Sequence, residues 1–101
     1  MIIYVDIDNT ICKTNNLNDY SKSVPIYDII SKINNLYDEG NKIVYFTARG
    51  TISGIDFEDL TLQQFKEWGV KFHELKFGKP YYDYYIDDKC INIKDFKHGD
   101  F

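Results

Sequence analysis

The 101-residue chain holds one arginine, two prolines, two cysteines and no long apolar run, and each scarcity excludes something. The apolar stretch at its N-terminus, Met1 to Val5, is far short of the ~20 residues a membrane-spanning helix needs, and it has no basic flank to mark a signal peptide. Cys12 and Cys90 make neither a disulfide framework nor a metal-ligand spacing. Reduced thiols and a cytoplasmic location are therefore the expectation. Arg49 is the single arginine and the formal net charge is −4. An acidic chain without a basic stripe argues against nucleic acid as a partner, and the missing apolar span argues against a membrane. No repeat, low-complexity tract or Pro/Gly/Ser linker divides the chain, so residues 1–101 read as one domain. What is present is a 44% hydrophobic share, near the globular norm, which implies a packed core and not disorder. Nine tyrosines raise the aromatic share to 17%; such half-polar rings suit thin layers and interfaces.

The pattern along the chain alternates strands and helices. Ile2, Ile3, Tyr4 and Val5 read as a strand buried on both faces, which implies a parallel sheet covered by helices. A polar loop follows from Asn9 to Ser23. Pro25 is placed to open a helix, and Ile26, Ile29, Ile30, Ile33, Leu36 and Tyr37 recur at helical spacing. Gly40 stands where a left-handed cap would end that helix. A second strand spans Lys42 to Phe46, and a loop from Thr51 to Phe57 follows. A second helix runs from Glu58 to Trp68, with Leu62, Phe65 and Trp68 inward and Thr61 and Gln64 as a capping box if it starts late. Gly69 ends it. Phe72 to Phe77 gives a third strand, Gly78-Lys79-Pro80 a turn, Tyr84 to Ile86 a fourth strand, and Ile91 to Phe96 a last edge strand or turn. This order predicts a doubly wound α/β sheet.

In such sheets ligands bind beyond the C-terminal ends of the strands. The residues expected there are Asp6 and Asp8, Thr47, Lys79, and Asp87 with Asp88. Four carboxylates gathered at one edge repel each other unless a cation sits among them. Hard oxygen donors without His or Cys favour Mg²⁺, and Mg²⁺ held by a few carboxylates usually serves phosphate chemistry. Thr47 and Lys79 can donate to phosphate oxygens. Asp6 and Asp8 are two apart, so in extended backbone both face one side while Ile7 turns to the core. One carboxylate can attack phosphorus; the other can protonate the leaving oxygen and then deprotonate water.

Asp6-Ile7-Asp8-Asn9-Thr10, Thr47 after a hydrophobic strand, Lys79 in Gly-Lys-Pro, and Asp87-Asp88 after Tyr-Tyr-Ile together resemble the four ordered motifs of the haloacid dehalogenase superfamily. The likeness spans about Ile2 to Lys89. It implies a three-layer Rossmann-like core with a minimal parallel sheet. It also implies a phosphatase working through an aspartyl-phosphate on Asp6. Asp8 would be the general acid/base and would bind Mg²⁺ through its backbone carbonyl. Thr47 and Lys79 would hold the phosphoryl group, with Lys79 also neutralising the nucleophile. Asp87 would ligate the metal directly, and Asp88 would act through water or pair with Lys79. The acid at the second position of the D-x-D is typical of phosphatases and phosphotransferases and disfavours dehalogenation. Two departures stand out. No segment is long enough for a cap domain, and only seven residues separate Lys79 from Asp87 where larger relatives have a helix. The ending resembles small capless phosphatase-like proteins associated with surface-polysaccharide biosynthesis. An open site implies either a large substrate or neighbouring subunits that cover it, and the tyrosines suit a homo-oligomer.

The function expected is thus a Mg²⁺-dependent phosphomonoesterase for a small phosphorylated metabolite, a sugar phosphate or a nucleotide. The alternatives are a phosphotransferase or nucleic-acid end phosphatase, and a non-catalytic phosphate-binding or phospho-accepting module. Arg49, two residues past Thr47, is either a surface charge or a fork for an anionic part of the substrate. Asn9 and Thr10 offer backbone donors over the site, with Asn9 the one assigned to substrate. His73 reads as a strand-surface residue, Trp68 as helix core, and both cysteines as small semi-buried residues.

Overall fold

The structure is a computed structural model and describes residues 1–16 and 19–97. Its frame is a three-stranded parallel sheet made of β1 (Ile2–Val5), β4 (Lys42–Thr47) and β5 (Glu74–Phe77), with β4 in the middle. Val5 lies opposite Tyr45, and Thr47 opposite Phe77, so the C-terminal ends of all three strands meet at one edge. Between β1 and β4 come two short strands that pair antiparallel, β2 (Cys12–Lys13) and β3 (Val24–Pro25), and helix α1 (Tyr27–Asp38). Helix α2 (Glu58–Trp68) joins β4 to β5, and α3 (Ile93–Lys97) ends the described chain. Two residues of the expected 9–23 loop, Leu17 and Asn18, lie outside the described residues.

The monotonic strand order and the right-handed hand of parallel crossovers put α1 and α2 on the same face of the sheet. Burial agrees. Ile29, Ile30 and Ile33 of α1, Phe65 and Trp68 of α2, and Ile43 and Tyr45 of β4 form one cluster. Each of the three α1 isoleucines contributes about 1.5–3 kcal/mol by leaving water. The opposite face carries Ile2 and Tyr4, both mostly exposed. Among the described residues the fold is therefore two layers, wound on one side. This corrects the three-layer, doubly wound expectation. The reason is that the one described helix after β5, α3, lies against α1 on the face already covered.

α1 ends as its sequence requires. Gly40 takes φ +97°, its N–H reaches the Tyr37 carbonyl at 3.0 Å, and the Asn41 N–H reaches Leu36 at 3.2 Å. Its start differs from expectation. Pro25 pairs with Cys12 in β3 and the helix begins two residues later, because the Ile26 N–H is drawn to the Ile11 carbonyl at 2.9 Å. A short edge strand tolerates a proline.

Two further expectations are corrected after Lys79. Tyr84 to Ile86 form no strand, and that stretch stands exposed. Residues 93–97 are helical rather than extended, because the Asn92 side chain accepts the Lys94 N–H at 2.9 Å and seeds a turn. α3 is then held to α1: Lys32 donates to the Phe96 carbonyl and lies 4.2 Å from the centre of that ring.

Candidate active site

Where β1 ends, the chain bends sharply. Ile7 is wholly buried, and its carbonyl accepts the N–H groups of Thr10 and Ile11. Asn9 takes φ +60°, a conformation asparagine tolerates, and its side chain accepts the Thr14 N–H at 3.1 Å. This turn puts Asp6 and Asp8 on one side, as their spacing predicts.

Asp6 Oδ1 accepts the Ile7 N–H at 2.8 Å, and Oδ2 lies 3.8 Å from Lys79 Nζ. Burial pushes the Asp6 carboxyl above its ordinary value; Lys79 opposes this in part. Lys79 is fixed in turn, since its N–H bonds to the Thr47 carbonyl at 3.1 Å and its carbonyl accepts from the Thr51 hydroxyl at 2.7 Å. Thr47 is buried, and its hydroxyl accepts the Arg49 N–H at 3.1 Å. With an acceptor lone pair so used, the hydroxyl proton remains to be donated. Asp6, Asp8, Asn9, Thr47 and Lys79 all line one cleft of about 480 Å³, whose rim includes Tyr81 and Tyr82.

Asp8 is held differently. Arg49 Nε donates to its Oδ2 and Nη2 to its Oδ1, both at 2.9 Å, forming a two-pronged pair. The Thr14 hydroxyl donates to the same Oδ1 at 2.6 Å. The Arg49 side chain is completely buried. Its Nη1 donates to Thr61 at 3.0 Å and to Gln64 at 2.6 Å, and the Tyr20 ring covers its guanidinium at 4.7 Å. Gln64 closes the shell by donating to the Tyr20 carbonyl at 2.7 Å. Arg49 is thus neither a surface charge nor free to hold a substrate anion, because its fork already holds Asp8.

Thr61 and Gln64 likewise make no capping box. They share the inward stripe of α2 with Phe65 and Trp68, while Leu62 turns outward. That stripe, at i, i+3, i+4 and i+7, was legible as a helical face with two polar members. A buried cation needing acceptors explains them. Thr14 and Tyr20 carry no such signal, because their roles depend on how the loop folds back.

Asp87 and Asp88 are not brought to this group. Both are exposed, and Asp87 turns on itself to accept the Lys89 N–H at 2.9 Å. That bond holds its carboxyl below the ordinary value. Among the described residues no three His, Cys, Asp or Glu side chains gather to hold a metal ion. His73 instead serves the fold: its Nδ1 accepts the Ile43 N–H at 3.0 Å and its ring stacks on Tyr37. Cys12 is buried and Cys90 exposed, so the semi-buried reading of Cys90 is corrected.

No family model and no curated protein matches this chain. A solved structure does. The chain is similar to a protein of Vibrio cholerae whose crystal structure was determined as a structural-genomics target, at 25% identity and a TM-score of 0.85, over 94% of this chain and 85% of that one. The description of that protein states no activity. The likeness supports a small α/β fold with a three-stranded parallel sheet. No helix among the described residues is long and apolar enough to cross a membrane.

Proposed function

We propose that the chain is a phosphomonoesterase with Asp6 as nucleophile, acting on a small phosphorylated metabolite such as a sugar phosphate or nucleotide. The observation that carries this reading is the meeting of Asp6, the Thr47 hydroxyl and Lys79 in one cleft at the C-terminal edge of the sheet. Asp6 presents an oxygen facing an ammonium group, so a phosphoryl group drawn in by Lys79 and Thr47 is brought against the carboxylate. Attack by Asp6 on phosphorus forms an acyl phosphate and breaks the bond to the leaving oxygen, which takes up a proton. Water then attacks phosphorus, releases inorganic phosphate and restores the carboxylate. In this reading Asp8 supplies and removes the protons through Oδ2, which accepts from Arg49 alone.

Mg²⁺ is the cofactor that the resemblance to the haloacid dehalogenase superfamily implies, with Asp6, Asp8 and Asp87 as ligands. The placement of residues in this structure does not fit it: the Asp8 side chain is taken by Arg49 and Asp87 stands apart.

The test is phosphate release from sugar phosphates, nucleotides and an aryl phosphate, with Mg²⁺ and with EDTA. Release that Asp6→Asn abolishes supports the reading, and an intact fold with no release from any of these overturns it. One observation favours a second reading, a phospho-accepting module. Asp8 is so fully engaged by Arg49 and Thr14 that an acyl phosphate on Asp6 would turn over slowly. That reading expects uptake of about one phosphate per chain, lost in Asp6→Asn, without sustained release.

A further inference from the structure

The charged side chains that line the cleft, Asp6, Asp8, Arg49 and Lys79, all belong to its floor. Each is already engaged there. Arg49 is wholly buried with its fork on Asp8, and Lys79 faces Asp6. The mouth is of another kind. Ile52, Ser53, Pro80, Tyr81 and Tyr82 line it, all exposed and none of them charged. A cleft whose charge lies only at its floor recognises the two ends of a ligand by different chemistry.

Two contacts fix the mouth to the floor. The Thr51 hydroxyl donates to the Lys79 carbonyl at 2.7 Å, which stitches the loop carrying Ile52 and Ser53 to the segment carrying the two tyrosines. The Lys79 ammonium lies 5.4 Å from the centre of the Tyr82 ring. That ring is therefore the neighbour of whatever binds beside the ammonium. Tyr85 supports it, with ring centres 5.2 Å apart. Tyr82 still keeps 40% of its surface exposed and Ile52 75%, so both remain open to a ligand.

We propose that this mouth selects the leaving group: an uncharged ring packed on Tyr82 and Ile52, carrying no second anionic group. The selection deepens the phosphatase reading and rests on it for the reacting end. A phosphoryl group held by Lys79 and Thr47 puts the substituent on its ester oxygen against the Tyr82 ring. A ring offers that surface a flat apolar face, and stacking adds to the gain from burial. The hydroxyls of Tyr81, Tyr82 and Ser53 both donate and accept, so they suit neutral hydroxyls or the edge of a base. A carboxylate or a second phosphate meets the reverse. The face of an aromatic ring is negative, the Ile52 side chain solvates no charge, and the floor carboxylates Asp6 and Asp8 repel it. Arg49 is spent on Asp8 and Lys79 on the phosphoryl group, so no cation of the described lining remains to pair with it. Neutral sugar monophosphates and nucleoside monophosphates meet both conditions. Sugar-acid phosphates, bisphosphates and nucleoside diphosphates fail the second.

Binding tests the selection apart from turnover. Calorimetry on the full chain uses phosphonates, whose carbon–phosphorus bond is not hydrolysed. Phenylphosphonate is expected to bind about tenfold tighter than methylphosphonate, and para-carboxyphenylphosphonate no tighter than methylphosphonate. Tyr82→Ala is expected to remove the phenyl advantage and Tyr82→Phe to keep it. Ile52→Lys puts a cation at the mouth and is expected to tighten the carboxylated probe more than the other two. Equal affinity for the phenyl and carboxyphenyl probes in wild type, a phenyl advantage that survives Tyr82→Ala, or no binding of any probe overturns the proposal. Phosphate release from glucose-1-phosphate and adenosine monophosphate, set against glucuronic acid-1-phosphate and adenosine diphosphate, then tells which ring is preferred. Release from all of these at similar kcat/KM would refute the selection and keep the phosphatase. The expected binding order without release from any of them would refute the phosphatase and keep the selection.

Discussion

Arg49 is the residue on which the site's rigidity turns. It is wholly buried and satisfies Asp8, Thr61 and Gln64 at once. Removing one member of a buried charge pair leaves the other uncompensated, so Arg49→Ala is expected to destabilise the fold by about 3–5 kcal/mol. Arg49→Lys keeps the charge but not the planar fork, and is expected to recover only part of that loss. Urea unfolding of both variants checks the order. Tyr45 is the opposite case. Its ring packs on Phe65 and Phe72, yet its hydroxyl is buried with no hydrogen-bond partner among the described residues, and burial drives its pKa upward. Tyr45→Phe is expected to leave stability unchanged or raise it by up to about 1–2 kcal/mol, because an unsatisfied polar group is removed at little change in shape. A fall in the urea midpoint would show that the hydroxyl is satisfied in solution.

Among the elements, α2 and the loop before it make the wall of the cleft. Gly50 takes φ +81°, and a Cβ there would run into the Ile55 carbonyl oxygen. Backbone cannot yield as a flexible side chain can. Gly50→Ala is therefore expected to lose more than the ~1 kcal/mol of a left-handed residue alone, and to disturb the Arg49 backbone beside it. Thermal unfolding reads the first effect and, on the proposed phosphatase reading, weakened phosphate binding the second. On α2 itself, Gln64→Leu would improve the apolar stripe by composition but take an acceptor from Arg49. It is expected to destabilise by about 1–3 kcal/mol, an outcome that propensity and patterning alone would reverse.

For the whole molecule, the carboxyl at the end of β1 sets a pH dependence. Asp6 has its pKa raised by burial, against the partial opposition of Lys79. Its folded state therefore holds a proton more tightly than the unfolded chain does. The sign follows: stability associated with Asp6 is greatest below the unfolded value, about 3.9, and falls as pH rises through the higher folded value. At pH 7 the ionised carboxylate is a burden on the fold. Asp6→Asn is expected to raise the melting temperature at pH 7 and to converge with wild type in acid; on the proposed phosphatase reading it also abolishes phosphate release. A melting temperature lowered at pH 7 would mean that the contact with Lys79 outweighs desolvation.

Much of this was legible residue by residue. The run Ile2–Val5, the isoleucine stripe of α1, Gly40 beyond it and the bounds of α2 depend on neighbours close in sequence, and periodicity and capping chemistry report such neighbours directly. The placement of Asp6, Thr47 and Lys79 followed from the same source, because strand ends in a parallel sheet share an edge. Tertiary structure decided the rest. Whether Arg49 faced a ligand or the interior depended on Thr61, Gln64 and Tyr20, brought from a helix and a loop that no local pattern joins to it. Whether Tyr84 to Ile86 became a strand depended on a neighbouring strand to pair with, and in this structure the segment stands exposed outside the sheet. A strand is a pairing and not a property of one segment, so a sequence can offer the segment while the tertiary structure leaves it unpaired.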